Sequence, residues 1–508
     1  MIGSRELIER VLDPVSWESW DRPLPVAPAD AEYAAALVRA RRNTGLDEAV
    51  LTGSGTIGGH RVAVIATEFE FLAGSVGVAA GRRIIAAVER ATVERLPVVA
   101  SPASGGTRLQ EGTPAFVQMI GIASALAAHR AAGLAYLVYL RDPTTGGVLA
   151  SWGSLGHVTA AEPGALIGLL GPRVQRALYG EALPAGVQSA ENLYAHGLID
   201  AVVPPHELRE VAIRTLNVVS APLSVRPQSA VAPDAGSTPA IPPAHRSAPS
   251  PAGDVRQTWD SVMRTRRPDR PGVRSLLKTA ASDVTLLSGT GAGERDDALL
   301  LALARFGAMP CVVLGQDRQS QTADHTLGPE GLHEAIRGMR LSRELGLPLV
   351  TVVDTPGAAP SRRSEEGGLA HGIAWCLAEL SALTPPTVCL LLGQGGGGTA
   401  LALLQADRIL CAQHAWLAPL PPEGASEVLH RTTERADEVA HAQGVGSDAL
   451  LRAGVVDDVI PEHPDADDEP EAFMRRVGVA LEAAISDLLA GGTEQRLAAR
   501  AARYRTAS

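Results

Sequence analysis

Leu96-Pro-Val-Val-Ala100 runs into Ser101-Pro-Ala-Ser-Gly105-Gly106, and in the second half of the chain Leu347-Pro-Leu-Val-Thr-Val-Val353 runs into Asp354-Thr-Pro-Gly357-Ala358. Each apolar run is short, β-branched and bounded by turn residues, so each reads as a buried strand that ends in a loop. A second strand follows in both halves. Leu134-Ala-Tyr-Leu-Val-Tyr-Leu140 leads to Asp142-Pro-Thr-Thr-Gly146-Gly147, and Thr387-Val-Cys-Leu-Leu-Leu392 leads to Gly393-Gln-Gly-Gly-Gly397-Gly398. The step from Gly105 to Gly146 is 41 positions and that from Gly357 to Gly397 is 40. A third landmark repeats as Gly197-Leu-Ile-Asp-Ala-Val-Val-Pro204 and Gly454-Val-Val-Asp-Asp-Val-Ile-Pro461. Matched landmarks at near-equal spacing are the mark of an internal duplication.

Between the paired strands, 113–131 and 365–383 carry apolar residues at three- and four-residue intervals, which predicts helices. Strand, helix, strand, repeated, implies parallel strands joined by right-handed crossovers. The chain therefore reads as α/β, a tandem of two layered domains. From about Ser220 to Gly253 it is dense in Pro, Ala and Ser without periodicity, the composition of a linker. The expected organisation is a first domain over 1–219, a linker over 220–253 and a second domain over 254–508, in keeping with a length of 508 residues.

Composition narrows the chemistry. Of 45 Lys plus Arg, one is lysine, Lys278, in Ser-Leu-Leu-Lys-Thr-Ala-Ala; the bland cause of so few is coding bias. A phosphate loop of the G-x-x-x-x-G-K-[ST] type is excluded, and Schiff-base chemistry would fall on this residue alone. A net charge of -11 argues against broad nucleic-acid binding. Cys311, Cys376, Cys389 and Cys411 form no C-x-x-C pair, so no metal or redox site is expected. The first ten residues lack the basic head and apolar segment of a leader, and no apolar run reaches the eighteen or so residues of a spanning helix. The expectation is a soluble, cytoplasmic protein without membrane or nucleic-acid partners.

Loops at the carboxyl ends of α/β strands form the ligand crevice, where backbone N–H groups at helix starts point outward. Glycine pairs there let an oxygen approach the backbone closely. Such a pair can serve as an oxyanion hole for a thioester carbonyl whose α-carbon loses a proton. Close packing or a tight turn is the ordinary reason for a Gly-Gly pair; its duplication at matched places favours the oxyanion hole.

Four stretches of the first half, Ala73-Gly-Ser-Val-Gly-Val-Ala-Ala-Gly-Arg82, Ser101-Pro-Ala-Ser-Gly-Gly-Thr-Arg-Leu-Gln-Glu-Gly112, Asp142-Pro-Thr-Thr-Gly-Gly-Val148 and Ala161-Glu-Pro-Gly-Ala-Leu-Ile-Gly-Leu-Leu-Gly-Pro-Arg173, resemble the β subunit of the acetyl-CoA carboxylase carboxyltransferase. The second half resembles the α subunit through Arg267-Pro-Asp-Arg-Pro271, Leu327-Gly-Pro-Glu-Gly331, Asp354-Thr-Pro-Gly-Ala358, Gly393-Gln-Gly-Gly-Gly-Gly-Thr-Ala-Leu-Ala-Leu403 and Pro422-Glu-Gly424. The resemblance covers roughly residues 5–462, in the β-then-α order of acyl-CoA carboxylase β chains. It departs from the family at Thr399, where Gly or Ala is usual, at Ala359 in place of Tyr, at Pro421 in place of Ser, and in lacking the zinc ribbon of many β subunits.

The resemblance implies a crotonase fold (ββα spiral) in each half, and carboxyl transfer from carboxybiotin on a separate carrier protein to acetyl-CoA or propionyl-CoA, without a metal. It implies an active site shared between protomers, hence a homodimer or a larger assembly of dimers, working with a biotin carboxyl carrier and biotin carboxylase. It places the thioester enolate on the amides of Gly105 and Gly106 and the biotin ureido oxygen on those of Gly398 and Thr399. Gly146, Gly147, Gly357, Ala358 and Gly397 are expected to line the cofactor sites, and biotin itself to serve as base. Arg108 and Arg173, with Arg82 and Arg83, are candidates to meet CoA phosphates. Glu111, Glu330 and Glu423 read as loop-positioning residues, and His325 and His371 as surface residues. A malonyl-type thioester decarboxylase and a catalytically silent scaffold are the alternatives. Lys278 lacks the setting of a biotinylated lysine, so the activated carboxyl group must arrive on another protein.

Overall fold

The computed structural model describes residues 2–23, 28, 30–181, 183–222, 254–322, 325–358 and 361–504. Most of the expected linker, residues 223–253, and Ala359 lie outside the described residues. Two compact units emerge, one of Met1–Ser220 with Thr285–Arg295 and one of Ala221–Val284 with Asp296–Ser508.

In the first unit, β1 (Glu18–Ser19), β2 (Val50–Ile57), β3 (His60–Thr67), β4 (Val98–Ser101), β5 (Tyr136–Leu140), β6 (Thr144–Thr145), β7 (Val158–Ala161), β8 (Ile167–Gly168) and β9 (Ala201–Val202) follow in chain order. Seven of them make one sheet in the order β1-β2-β3-β4-β5-β7-β9, and β6 pairs with β8 apart from it. From β3 onward the main sheet is parallel. The hairpin β2–β3 is antiparallel, from Val50 opposite Thr67 to Ile57 opposite His60. Its two-residue turn is Gly58-Gly59, both with positive φ, the requirement of a twist-matched hairpin turn. One core of Ile65, Ile84, Val98, Ile122, Tyr136, Trp152 and their neighbours joins the sheet to the helices Val78–Val93 and Gln118–Ala131.

The second unit repeats this plan. Its strands are β10 (Ala281–Leu287, of which Ala281–Val284 fall in this unit), β11 (Leu299–Phe306), β12 (Met309–Gln316), β13 (Leu349–Thr355), β14 (Thr387–Gly396), β15 (Arg408–Ala412), β16 (Trp416–Ala418) and β17 (Asp458–Ile460). The order is β10-β11-β12-β13-β14-β15-β17, again with one antiparallel hairpin, β11–β12, and parallel pairing after it. The carboxyl end of β14 pairs with β16, as β6 pairs with β8.

The parallel core matches the expectation from sequence; three details differ. The antiparallel hairpins were not anticipated, because continuous apolar runs such as Leu299–Ala304 carry no sign of pairing direction. The second expected helix is interrupted at Gly367-Gly368, where Gly368 takes the left-handed region (φ 77°), and continues as Leu369–Ala382. Thr285–Arg295 lies with the first unit rather than the second. Its Ser288 and Gly291 amides donate to the Asp200 carboxylate (3.1 Å) and the Gly197 carbonyl (2.8 Å), and Gly197 and Gly289 are so close that neither admits a Cβ.

Candidate active site

Strand β4 delivers the loop that begins at Pro102, and β5 delivers the loop 141–146. Ser104 binds them together: its amide donates to the Pro143 carbonyl (2.7 Å), and its carbonyl accepts from the Thr145 amide (2.8 Å). Gly106 (φ 107°) and Gly146 (φ 68°) thereby meet face to face, a Cβ on Gly146 falling 3.2 Å from Gly106 Cα. Neither position accepts a side chain without strain. A third loop passes over them at Gly74, where a Cβ would run into the Ala103 carbonyl oxygen. The Gly105 amide donates to the Ala73 carbonyl (2.8 Å) and the Gly106 amide to Ser104 Oγ (3.0 Å). Both N–H groups expected to hold an enolate are therefore already engaged. Gly146 donates to the Leu169 carbonyl (3.1 Å), and Gly147 and Val148 follow in the first turn of the helix Gly146–Leu149, where N–H groups have no acceptor within the helix.

The second unit builds the same arrangement from β13 and β14. Gly357 (φ 119°) and Gly397 (φ 65°) are 40 positions apart, as are Gly106 and Gly146, and the pairs share their backbone conformations. Gly396 packs against the Pro356 carbonyl with no room for a Cβ. Gly398 and Thr399 stand in the first turn of the helix Gly397–Leu404. By this correspondence the counterpart of Gly398–Thr399 is Gly147–Val148. Gly105–Gly106 is the counterpart of Pro356–Gly357, which moves the sequence-based match of Gly357 by one position, from Gly105 to Gly106. Thr399 is fully buried, and its hydroxyl has no hydrogen-bond partner among the described residues. Ala358 follows Gly357 in the same loop.

Charged side chains hold these loops. Arg108 has no exposed surface. It donates to the Glu48 carboxylate (2.9 Å from Nη1), the Ser75 carbonyl (2.7 Å) and the Tyr33 hydroxyl (3.4 Å). Burial works against its charge, but the hydrogen bonds it donates to Glu48 and Tyr33 outweigh burial and hold the guanidinium protonated. It cannot reach a CoA phosphate, contrary to the expectation. Arg83 is likewise buried, bound to Asp47 (3.0 Å from Nη1) and to the Val50 carbonyl (2.9 Å). Arg82 and Arg173 are exposed. Glu111 caps the helix Val78–Val93 by accepting from the Val78 amide (2.6 Å) and also bonds the Tyr33 hydroxyl, whose pKa burial and this carboxylate push up to about 12.

In the second unit Glu423 accepts two bonds from Arg266 (2.6 and 3.0 Å), and Glu330 accepts from Arg363 (2.9 Å). All three glutamates thus hold loops. His325 lies 3.4 Å from Asp296, and His371 is exposed beside Trp375. Burial pushes the Cys376 and Cys389 thiols up to about 12, which leaves them unreactive at neutral pH.

A family model described as the carboxyl transferase domain matches residues 5–494. A protein of Mycobacterium tuberculosis (strain ATCC 25618 / H37Rv), named "Probable biotin-dependent acyl-coenzyme A carboxylase beta3 subunit", is 56% identical over 505 residues, 99% of this chain and 98% of that protein. The chain belongs to the carboxyltransferase family of biotin-dependent acyl-CoA carboxylases. This carboxyltransferase is also 39% identical, over 93% of its length and 84% of the relative's, to the "Acetyl-coenzyme A carboxylase carboxyl transferase subunits beta/alpha" of Salinispora arenicola (strain CNS-205). Among solved structures, transcarboxylase 12S, a hexamer with methylmalonyl-coenzyme A and methylmalonic acid bound, aligns with a TM-score of 0.75 over 96% of this chain and 90% of its own, at 20% identity. The fold of the carboxyltransferase is thus the crotonase-like tandem.

Several residues that shape the site have no signature in the sequence. Thr67, at the end of β3, accepts from the Ala103 amide (2.6 Å) and donates to the Ala103 carbonyl (2.9 Å). Arg141, nearly buried, donates to Ser101 Oγ (2.9 Å) and the Ser101 carbonyl (2.8 Å). Gln316, Arg318 and Gln321 converge on Asp354 in the second unit. The hairpin strands that bring Thr67 and Gln316 to the site were themselves unforeseen.

Proposed function

We propose that this carboxyltransferase moves a carboxyl group from carboxybiotin, carried on a separate protein, to the α-carbon of a short acyl-CoA, acetyl-CoA first and propionyl-CoA next. The observation that carries this reading is the pair of matched glycine cradles, Gly106/Gly146 and Gly357/Gly397, each beside a helix start that offers N–H groups to an oxygen. Both cradles suit a carbonyl oxygen, because glycine leaves the backbone beside each helix start without a side chain in the way. In the first, we assign the N–H of Gly147, rather than those of Gly105 and Gly106, to the thioester oxygen as it gains charge on loss of the α-proton. One such donor contributes about 3 to 4 kcal/mol of transition-state stabilisation.

In the second unit Gly398 and Thr399 are assigned to the ureido oxygen of biotin, with Gly357, Ala358 and Gly397 lining the approach. Carboxybiotin supplies the carboxyl group and, once that group has left, the base for the α-proton. Arg173 remains the candidate for a CoA phosphate, as an exposed donor on the helix Pro172–Tyr179. Lys278 lies in the helix Val273–Ala280, which favours a carrier on another chain. Phe116, Val117 and Ile120, around the junction of the helices Gly112–Phe116 and Gln118–Ala131, and Trp375 and Leu401, on helices of the second unit, are exposed. Such faces support a homodimer or a larger homo-oligomer. No helix of the described residues is long and apolar enough to cross a membrane. On this reading the enzyme is cytoplasmic and supplies malonyl-type thioesters to fatty-acid synthesis.

Incubation of the purified protein with malonyl-CoA, with and without free biotin, tests the reading. Conversion to acetyl-CoA that requires biotin and saturates with it is the expected outcome. Conversion at the same rate without biotin would make the protein a decarboxylase, and no conversion with any short malonyl-type thioester would make it a scaffold.

A further inference from the structure

Strand β13 contains a bulge: its register against β14 shifts between Val353 and Thr355, so the amide of Asp354 falls out of the ladder. That amide donates to Gln316 Oε1 (3.0 Å), while Gln316 Nε2 donates to the Thr399 carbonyl (2.8 Å). Gln316 has no exposed surface. One planar carboxamide thus joins the strand end that leads to Gly357 and the helix turn that presents Gly398 and Thr399. The carboxamide does both at once, accepting from the first through its oxygen and donating to the second through its nitrogen.

The Asp354 carboxylate continues the tie. It accepts from the Gln394 amide (3.0 Å) and Arg318 (3.1 Å), and its carbonyl accepts from Gln321 (3.1 Å). Gln321 Oε1 accepts from the Thr355 hydroxyl (2.7 Å), which accepts from the Gly357 amide (3.2 Å). Both walls of the second cradle therefore hang from one buried network anchored at Gln316. The first cradle is tied differently, by the Ser104 backbone and by the Thr144 hydroxyl, which donates to the Pro102 carbonyl (3.0 Å), and not from its hairpin. The equivalent last residue of its hairpin, Thr67, is a short hydroxyl that reaches only Ala103.

We infer that Gln316 is a positioning residue for the second cradle, setting the separation of the Gly357 loop and the Gly398–Thr399 turn and so the fit of the biotin ureido group. The inference rests on the reading that this cradle receives biotin. It acts through the Thr399 carbonyl and the Asp354 amide, and touches no substrate.

Gln316→Leu, Gln316→Glu and Thr67→Val in the full-length protein test it, by two readouts. The first is amide hydrogen exchange without ligand. Gln316→Leu is expected to speed exchange at Asp354 about fivefold to tenfold, the loss of one hydrogen bond, with exchange in 103–107 unchanged. Gln316→Glu, which keeps the acceptor and loses the donor, is expected to leave the Asp354 amide protected. The second is transfer from malonyl-CoA to free biotin. Both Gln316 variants are expected to lower kcat/KM for biotin by about 100-fold, the effect of an ångström-scale misplacement, with KM for malonyl-CoA within about twofold of wild type. Thr67→Val is expected to act on malonyl-CoA instead. Unchanged exchange at Asp354 in Gln316→Leu, or equal loss for both substrates, would overturn the inference. A wild-type protein that transfers nothing to biotin would count against the carboxyl-transfer reading, and the exchange experiment would still decide whether Gln316 is the tie.

Discussion

Arg108 shows how one residue type in one motif can carry two opposite meanings. As a cation beside a glycine pair it reads as a phosphate donor; in the fold it is wholly enclosed, bound to Glu48, Ser75 and Tyr33. Breaking a buried ion pair from one side leaves the other charge unpaired and costs about 3 to 5 kcal/mol, whereas replacing both partners with apolar groups is often neutral. Arg108→Leu is therefore expected to lower unfolding free energy by that amount in urea denaturation, and Arg108→Leu with Glu48→Leu to recover most of it. A variant of normal stability with a raised KM for acyl-CoA would restore the phosphate role. The glycines are legible in sequence as a class, but their hydrogen-bond partners are not. Sequence marks Gly105-Gly106 as a pair, but only the structure reveals that both amides already have acceptors, Ala73 and Ser104, and that it is Gly106 that meets Gly146.

Among the elements, the helix Thr493–Ala502 lies beyond every recognised motif, yet it clamps the second sheet. Arg496 and Arg500 reach the buried Asp407 carboxylate (2.8 and 2.6 Å) and the carbonyls of Thr384, Pro385 and Leu383, where β14 and β15 begin. Burial alone would raise the pKa of Asp407; Arg500 outweighs burial and holds it below its ordinary 3.8. A carboxyl lowered on folding stabilises above its unfolded pKa and loses that contribution as pH falls through the folded one. The stabilisation is thus expected to be full above about pH 4 and to fade in more acid solution, and Asp407→Asn to flatten that acid limb, as read by thermal melting from pH 3 to 7. Removal of residues 493–508 strands Asp407 without its cations and is expected to cost about 3 to 5 kcal/mol at pH 7. An unchanged melting curve would refute the clamp. A helix rich in Arg and Ala reads in sequence as a solvated surface helix, since buried arginine is invisible without its partner.

At the scale of the molecule, duplication was the most legible feature, because equal spacing of strand ends survives where side chains diverge. What the spacing could not reveal is that Thr285–Arg295 is built into the first unit through Gly197, Asp200 and Gly289. Residues 1–253 expressed alone are accordingly expected to melt lower than the same unit in the full chain; equal melting would show the segment to be dispensable. The central claim is that two matched cradles receive two different carbonyls. It is tested most directly by steady-state transfer from malonyl-CoA to free biotin in Gly146→Ala and Gly397→Ala, both at left-handed positions. Gly146→Ala is predicted to lower kcat/KM for malonyl-CoA by about 100- to 1,000-fold while sparing KM for biotin, and Gly397→Ala to do the reverse. Loss confined to the same substrate in both variants, or in neither, would contradict the assignment.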